Sequence, residues 1–155
     1  MSIAPQENIL ICFPIRILIT SDGRYYGFLL FADLVSDLGR SPQIVSIPSL
    51  DAVDLAHYAV YSSPSDLQKL VILNLDYING TSPRTYKTFD VSSEFGKKFT
   101  VKRLTGSSSI ADTNLTWADQ TVDGDGNLSG TKVVEKVTNG VVSIGSSEAV
   151  IIERA

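Results

Sequence analysis

The sequence predicts a mainly β chain, an antiparallel β-sandwich of about eight strands led by one N-terminal α-helix. Three observations carry that expectation. One stretch, "YYGFLLFADLVSDLG" (25–39), repeats its apolar residues at helical spacing; after Pro42 the apolar period falls to two; and no helical pattern returns between the later segments, which excludes a parallel βαβ sheet.

The helix is read from Tyr25 to Leu38. Tyr26, Leu30 and Leu34, with Phe31 and Leu38, recur three and four residues apart, and Gly39 supplies a C-terminal stop. Its apolar coverage is wide, so it is expected to pack against more than one neighbour. Upstream, "ILICFPIRILI" (9–19) is interrupted by Pro14 and Arg16 and preceded by Glu7, which makes a poor secretory leader. It is also far shorter than the roughly 20 residues a bilayer span needs. Ile9 to Ile19 is therefore expected to form a buried strand. Cys12, the only cysteine, reads as a small hydrophobe within it and rules out an intramolecular disulfide or a CxxC pair.

The strands follow in order: "QIVSI", "LAHYAVYS", "LQKLVILNLDY", "RTYKTFDV", "KKFTVKRL", "TKVVEKVT", "GVVSI" and "EAVIIE", each rich in Val, Ile, Tyr or Thr and bounded by Pro, Gly, Ser or Asn. In "KKFTVKR", Lys98, Thr100 and Lys102 alternate with Phe99 and Val101, which predicts a strand with a wet, charged face. In "VTNGVV" the Asn139-Gly140 pair predicts a mirror-image hairpin turn joining its two flanking strands.

At 155 residues the chain suits one domain. Its 17 acidic against 13 basic residues give a net charge of -4, with no basic field to neutralise a phosphate backbone, so nucleic acid is not an expected partner. Neither GxGxxG nor GxxxxGK[ST] occurs, and no cofactor is expected. The single histidine, His57, cannot build a zinc cluster and reads as structural.

Between 105 and 135 runs "TGSSSIADTNLTWADQTVDGDGNLSGTKVVE". Asp123, Asp125 and Asn127 stand two apart as in a calcium loop, but the sixth and twelfth positions counted from Asp123 hold Leu128 and Val134 rather than Gly and Glu. The stretch is read as a long excursion between strands, with no metal assigned and a weak non-EF site at Asp123 and Asp125 left open. Trp117, the only tryptophan, lies beside Asp119; it is either a stacking face for a sugar or a plug in the edge of the core. Trp117, Asp119, Asp123, Asp125 and Asn127 form the candidate ligand set. Tyr58, Tyr61, Tyr77 and Tyr86 would make an aromatic platform if they shared a sheet face, and Asp76 reads as a strand-end turn residue. Sequons at Asn79, Asn114 and Asn127 fall in turn-rich sequence and are candidates for glycosylation.

"YYGFLLFADLV", "AHYAVYSS", "LQKLVILNLDYINGTSPRTYKTFDV", "FTVKRLTGSSSIADTNLTWADQTVDGDGNLSGTKVVEKV" and "SSEAVIIE", in that order, resemble the C-terminal domain of fungal family 79 glycoside hydrolases, the β-glucuronidases and their relatives. The resemblance runs from about Tyr25 to Glu153, which assigns 25–155 to that domain with its leading helix; residues 1–24 do not match and are expected to add one strand. It implies an accessory sandwich packed on a (β/α)8 barrel that bears both catalytic glutamates, with the Tyr25 helix corresponding to the barrel's last helix. A barrel takes about 250 residues, and the sequence contains no Asn-Glu dipeptide of the kind that holds the acid/base glutamate in that clan. The expectation is a non-catalytic, extracellular protein that binds carbohydrate or a cell-surface partner, with an immunomodulatory role in view. A structural fragment of a glycosidase and a cryptic hydrolase are the alternatives. Loss of a covering barrel would bare the helix face, so a homodimer through Tyr25 to Leu38 is expected, with no membrane insertion.

Overall fold

A computed structural model describes residues 21–39, 41–48, 52–123 and 125–155. The expected strand at Ile9 to Ile19, and Cys12 within it, lie outside the described residues. Helix α1 (Ser21–Val35) is followed by β1 (Gln43–Ser46), β2 (Leu55–Ser63), β3 (Asp66–Asn74), β4 (Tyr86–Asp90), a one-turn α2 (Ser92–Phe95) and β5 (Phe99–Thr105). Then come β6 (Thr116–Trp117), β7 (Thr121–Val122), β8 (Leu128–Ser129), β9 (Glu135–Val137), β10 (Val141–Gly145) and β11 (Glu148–Arg154). The eight segments read from the sequence are β1 to β5 and β9 to β11. The three additional strands are two-residue pieces inside the excursion, too short to show a period.

All pairings are antiparallel. The main sheet has seven strands in the order β1-β2-β3-β11-β5-β6, with β9 sharing the outer edge of β5; β4 and β10 form a separate two-stranded sheet, and β7 pairs with β8. The main sheet is covered on both faces. On one face Val71, Leu73, Leu104, Ala149 and Ile151 pack against Tyr26, Leu30 and Leu34 of α1. On the other, Leu70, Ile72, Val101, Val150 and Ile152 pack against Val142 and Ile144 of β10, Phe89 of β4 and Phe95 of α2. Burial on both sides explains why β3 and β11 read as continuous apolar runs, "LVIL" and "AVII", rather than as alternation.

Three local expectations are corrected. Among the described residues the helix runs Ser21–Val35 and stops short of the expected Leu38, with the left-handed turn at Asp37 (φ 63°) ahead of the one at Gly39. The Asn139-Gly140 pair does not close a hairpin: β9 pairs with β5 in the main sheet and β10 with β4 in the small one, so the pair is a corner between layers, and only Gly140 takes a positive φ. Lys102 is not on a wet face. It is only 8% exposed, because α1 covers the side of β5 that alternation assigns to charge.

Candidate functional site

The 105–135 excursion is held against α1. The Tyr26 hydroxyl accepts the backbone N–H of Val122 (2.8 Å), and the indole N–H of Trp117 donates to Asp33 Oδ2 (3.0 Å). Lys132, at the far end of the excursion, reaches the same carboxylate (2.8 Å). Trp117 is thus a plug: it is 2% exposed, belongs to the core under α1, and has no ring face open for a sugar to stack on. Ala118 and Asp119 behind it both adopt left-handed conformations (φ 49° and 62°) in a tight turn closed by reciprocal Trp117 and Gln120 backbone bonds.

Asp33 organises a larger cluster. Its carboxylate also accepts from Lys102 (3.1 Å), which pairs with Glu153 (3.0 Å); Lys69 pairs with the same Glu153 (3.0 Å) and donates to the Asp33 and Ser36 carbonyls (2.6 and 3.2 Å). Lys69 therefore satisfies backbone oxygens at the C-terminal end of α1, where a cation is favoured. Burial alone would raise the Asp33 carboxyl, but hydrogen bonds from Lys132 and Lys102 outweigh it and hold the group below the ordinary aspartate value.

The second cluster joins the two sheets. Glu148, buried at the start of β11, accepts from Arg84 (2.7 Å) and Thr105 (2.9 Å) on one oxygen, and from Arg103 (2.9 Å) and the Gly145 N–H (2.7 Å) on the other. Arg103 also holds Glu135 through two parallel bonds of 2.9 and 3.1 Å. The sequence reading missed both clusters. Their signal was there, in single charges embedded in apolar runs: Asp33 in "LLFADLV", Lys69 in "LQKLVIL" and Glu148 opening "EAVIIE".

The remaining candidates do not converge. Asp123 Oδ1 accepts the N–H groups of Asp125 (3.0 Å) and Asn127 (2.8 Å), and its oxygens also take the Asn127 side-chain amide. These bonds lower its pKa, and the calcium-like spacing is that of a turn capping itself. Among the described residues no three His, Cys, Asp or Glu side chains cluster as a metal site would require. Asp76 has a neighbouring acid, Asp54, and Lys87 bridges the two. Hydrogen bonding with Asp76 and then with Lys87 lowers the Asp54 carboxyl. His57 is buried edge-on to Phe89 (5.6 Å). The four tyrosines do not share a platform: Tyr58 packs into the core beneath α1, whereas Tyr86 is exposed on β4.

A main sheet overlain by a helix on one face and by a two-stranded sheet on the other, with a long plugged excursion, has a counterpart among known families. Residues 57–151, more than half of the chain, match the glycosyl hydrolase family 79 C-terminal beta domain. The chain belongs to this family. Among solved structures, the family 79 β domain described here is similar to a 4-O-α-L-rhamnosyl-β-D-glucuronidase from Fusarium oxysporum, in complex with Rha-GlcA, with 25% identity and a TM-score of 0.61. The likeness covers 71% of this chain and 25% of that enzyme, so the chain spans about a quarter of the enzyme's length. No curated protein matches. The matched residues of the family 79 domain include Trp117, Arg103 and Glu148, whereas Asp33 and the rest of α1 precede them. Among the described residues no helix is long and apolar enough to cross a membrane.

Proposed function

We propose that this family 79 β domain is a non-catalytic accessory module that holds a protein surface with the outer face of α1, the surface being a glycosidase catalytic domain. The observation that carries this reading is the aromatic stripe on the helix. Tyr26, Leu30 and Leu34 are buried, while Phe28 and Phe31 are 73% and 40% exposed, and the half-exposed Tyr25 ring lies along the Gly126 turn. Large apolar side chains gathered on one outer face favour a protein neighbour. The Fusarium oxysporum enzyme, of which this chain covers 25%, offers the class of neighbour.

Hydrolysis by the module itself is disfavoured on electrostatic grounds. A glycosidase general acid needs a carboxyl pushed upward in pKa, with a second carboxylate about 5 Å away in retaining enzymes. Among the described residues, the carboxyls displaced from their ordinary value, Asp33, Asp54, Asp90 and Asp123, all move downward. Glu148 is enclosed by four donors. Carbohydrate or cell-surface recognition, with an immunomodulatory role outside the cell, is the second reading. What favours it is the exposure of Asp119, Asp125 and Asn127 along the excursion.

The purified chain is expected to release nothing from an aryl β-glucuronide and to bind a family 79 catalytic domain supplied in trans. Phe28→Asp should weaken that binding at least tenfold, as loss of a buried aromatic anchor does. Turnover by the chain alone would overturn the non-catalytic reading. Binding to a glycan array without any binding to the catalytic domain would put carbohydrate recognition in its place.

A further inference from the structure

The segment Tyr77-Ile78-Asn79-Gly80-Thr81 places an aromatic ring two residues before a sequon asparagine. Ile78 is buried and tied at both backbone ends to Ser109: its N–H donates to the Ser109 hydroxyl (2.8 Å) and its carbonyl accepts the Ser109 N–H (2.8 Å). Extended backbone alternates its side chains, so anchoring Ile78 inward sends Tyr77 and Asn79 outward together. The Tyr77 ring is 68% exposed. Gly80 turns the chain at φ +84°, and Asn79 Oδ1 accepts the Thr81 N–H (2.9 Å), the Thr81 hydroxyl (2.9 Å) and the Ser82 N–H (3.1 Å). The acceptor oxygen is thereby fixed by the turn, which leaves the amide nitrogen outside this set of bonds. Beside it lies a depression of about 270 Å³ walled by Tyr77, Asn79, Ser82, Pro83, Thr85 and Ser146, with a Thr85–Ser146 hydroxyl bond (2.6 Å) in its lining. That volume falls below the roughly 300–1,000 Å³ of drug-sized sites and suits a single sugar ring.

We propose that Asn79 carries an N-linked glycan whose first N-acetylglucosamine lies in this depression with its C–H face on the Tyr77 ring. The glycan would be transferred from a lipid-pyrophosphate-linked oligosaccharide. Asn79 Nδ2 bonds to the anomeric carbon, the bond from that carbon to the pyrophosphate oxygen breaks, and the amide proton lost leaves with the transferring base. An aromatic floor with a few hydroxyls and one amide around it is the chemistry that holds a pyranose. The other two sequons lack it. Asn127 Nδ2 lies 3.2 and 3.4 Å from the two Asp123 oxygens that cap its turn, and Asn114, at φ 58°, has Asp112 rather than an aromatic residue two positions before it.

The test is to send the full chain, behind an added leader, through the secretory pathway of a yeast, and to map the product by peptide mass spectrometry before and after a peptide-N-glycosidase. That enzyme converts an occupied asparagine to aspartate. Conversion at Asn79, lost in Asn79→Gln, is expected; an unconverted Asn79 beside a glycosylated control protein would overturn the assignment. The packing is read separately, by the melting temperature before and after deglycosylation. Wild type should lose about 2–4 °C, and Tyr77→Ala, an exposed position whose truncation leaves the core intact, should lose little. An equal loss in both would overturn the Tyr77 contact while leaving the glycan in place.

Discussion

Gly140 carries the chain from one layer to the other with φ +82°, and a Cβ there would stand 2.7 Å from the Cβ of Ser92. Its N–H donates to Lys97 O and its carbonyl accepts from Val91, so the corner has no freedom to shift. Gly140→Ala therefore combines backbone strain with a clash and should cost about 1–3 kcal/mol, read as a lower urea midpoint with unchanged slope. The Asn139-Gly140 dipeptide announced a positive φ in the sequence. It did not announce which strands would meet there, because that depends on residues some fifty positions away along β4. The Trp117–Gln120 turn was harder to read still, since Ala118 and Asp119 take left-handed conformations without glycine.

At the scale of elements, α1 was legible from apolar residues recurring three and four apart with wide apolar coverage, but its electrostatic attachment was not. A period of two shows that Thr100 and Lys102 share a side of β5; it is silent about whether water or a helix lies on that side. Here the helix supplies Asp33, and one carboxylate ties α1 to β5 through Lys102, to the excursion through Lys132 and to the core through Trp117. Asp33→Asn keeps the shape, removes the charge, and should destabilise the fold by about 2–3 kcal/mol at neutral pH. The folded carboxyl lies below the unfolded value of 3.8. Its contribution is therefore fully present above that value and is lost as the pH falls through the depressed one. The wild-type advantage in urea should shrink correspondingly below pH 3.8. Trp117, the only tryptophan, gives a fluorescence reading of the same junction. A difference that stays constant through this acid range would exclude Asp33 as a charged tie.

For the whole molecule, the strand segments could be read from composition and period, while their order could not, because β11 lies between β3 and β5 and both partners are remote in sequence. The candidate ligand set was the least legible feature. Trp117 looked the same in sequence whether it faced a sugar or the core, and only its bond to Asp33, 84 residues away, separates the two. Strands buried on both faces should open last. Amide exchange is expected to be slowest at Val71, Ile72, Val101, Val150 and Ile151, and faster by orders of magnitude across the exposed, strand-free Asp112 to Asn114 segment. Uniform protection across the chain would contradict this two-sided core.

The placement of β11 also bears on biosynthesis. A ribosome makes β3 and β5 long before residues 148–154, yet the two strands never touch each other in the finished sheet: each pairs with β11. Until that segment emerges, the nascent chain holds two oily edges facing an unfilled slot, each open to a stray strand from a neighbouring polypeptide. Chaperone demand during translation should therefore centre on the interval between the emergence of β5 and that of β11.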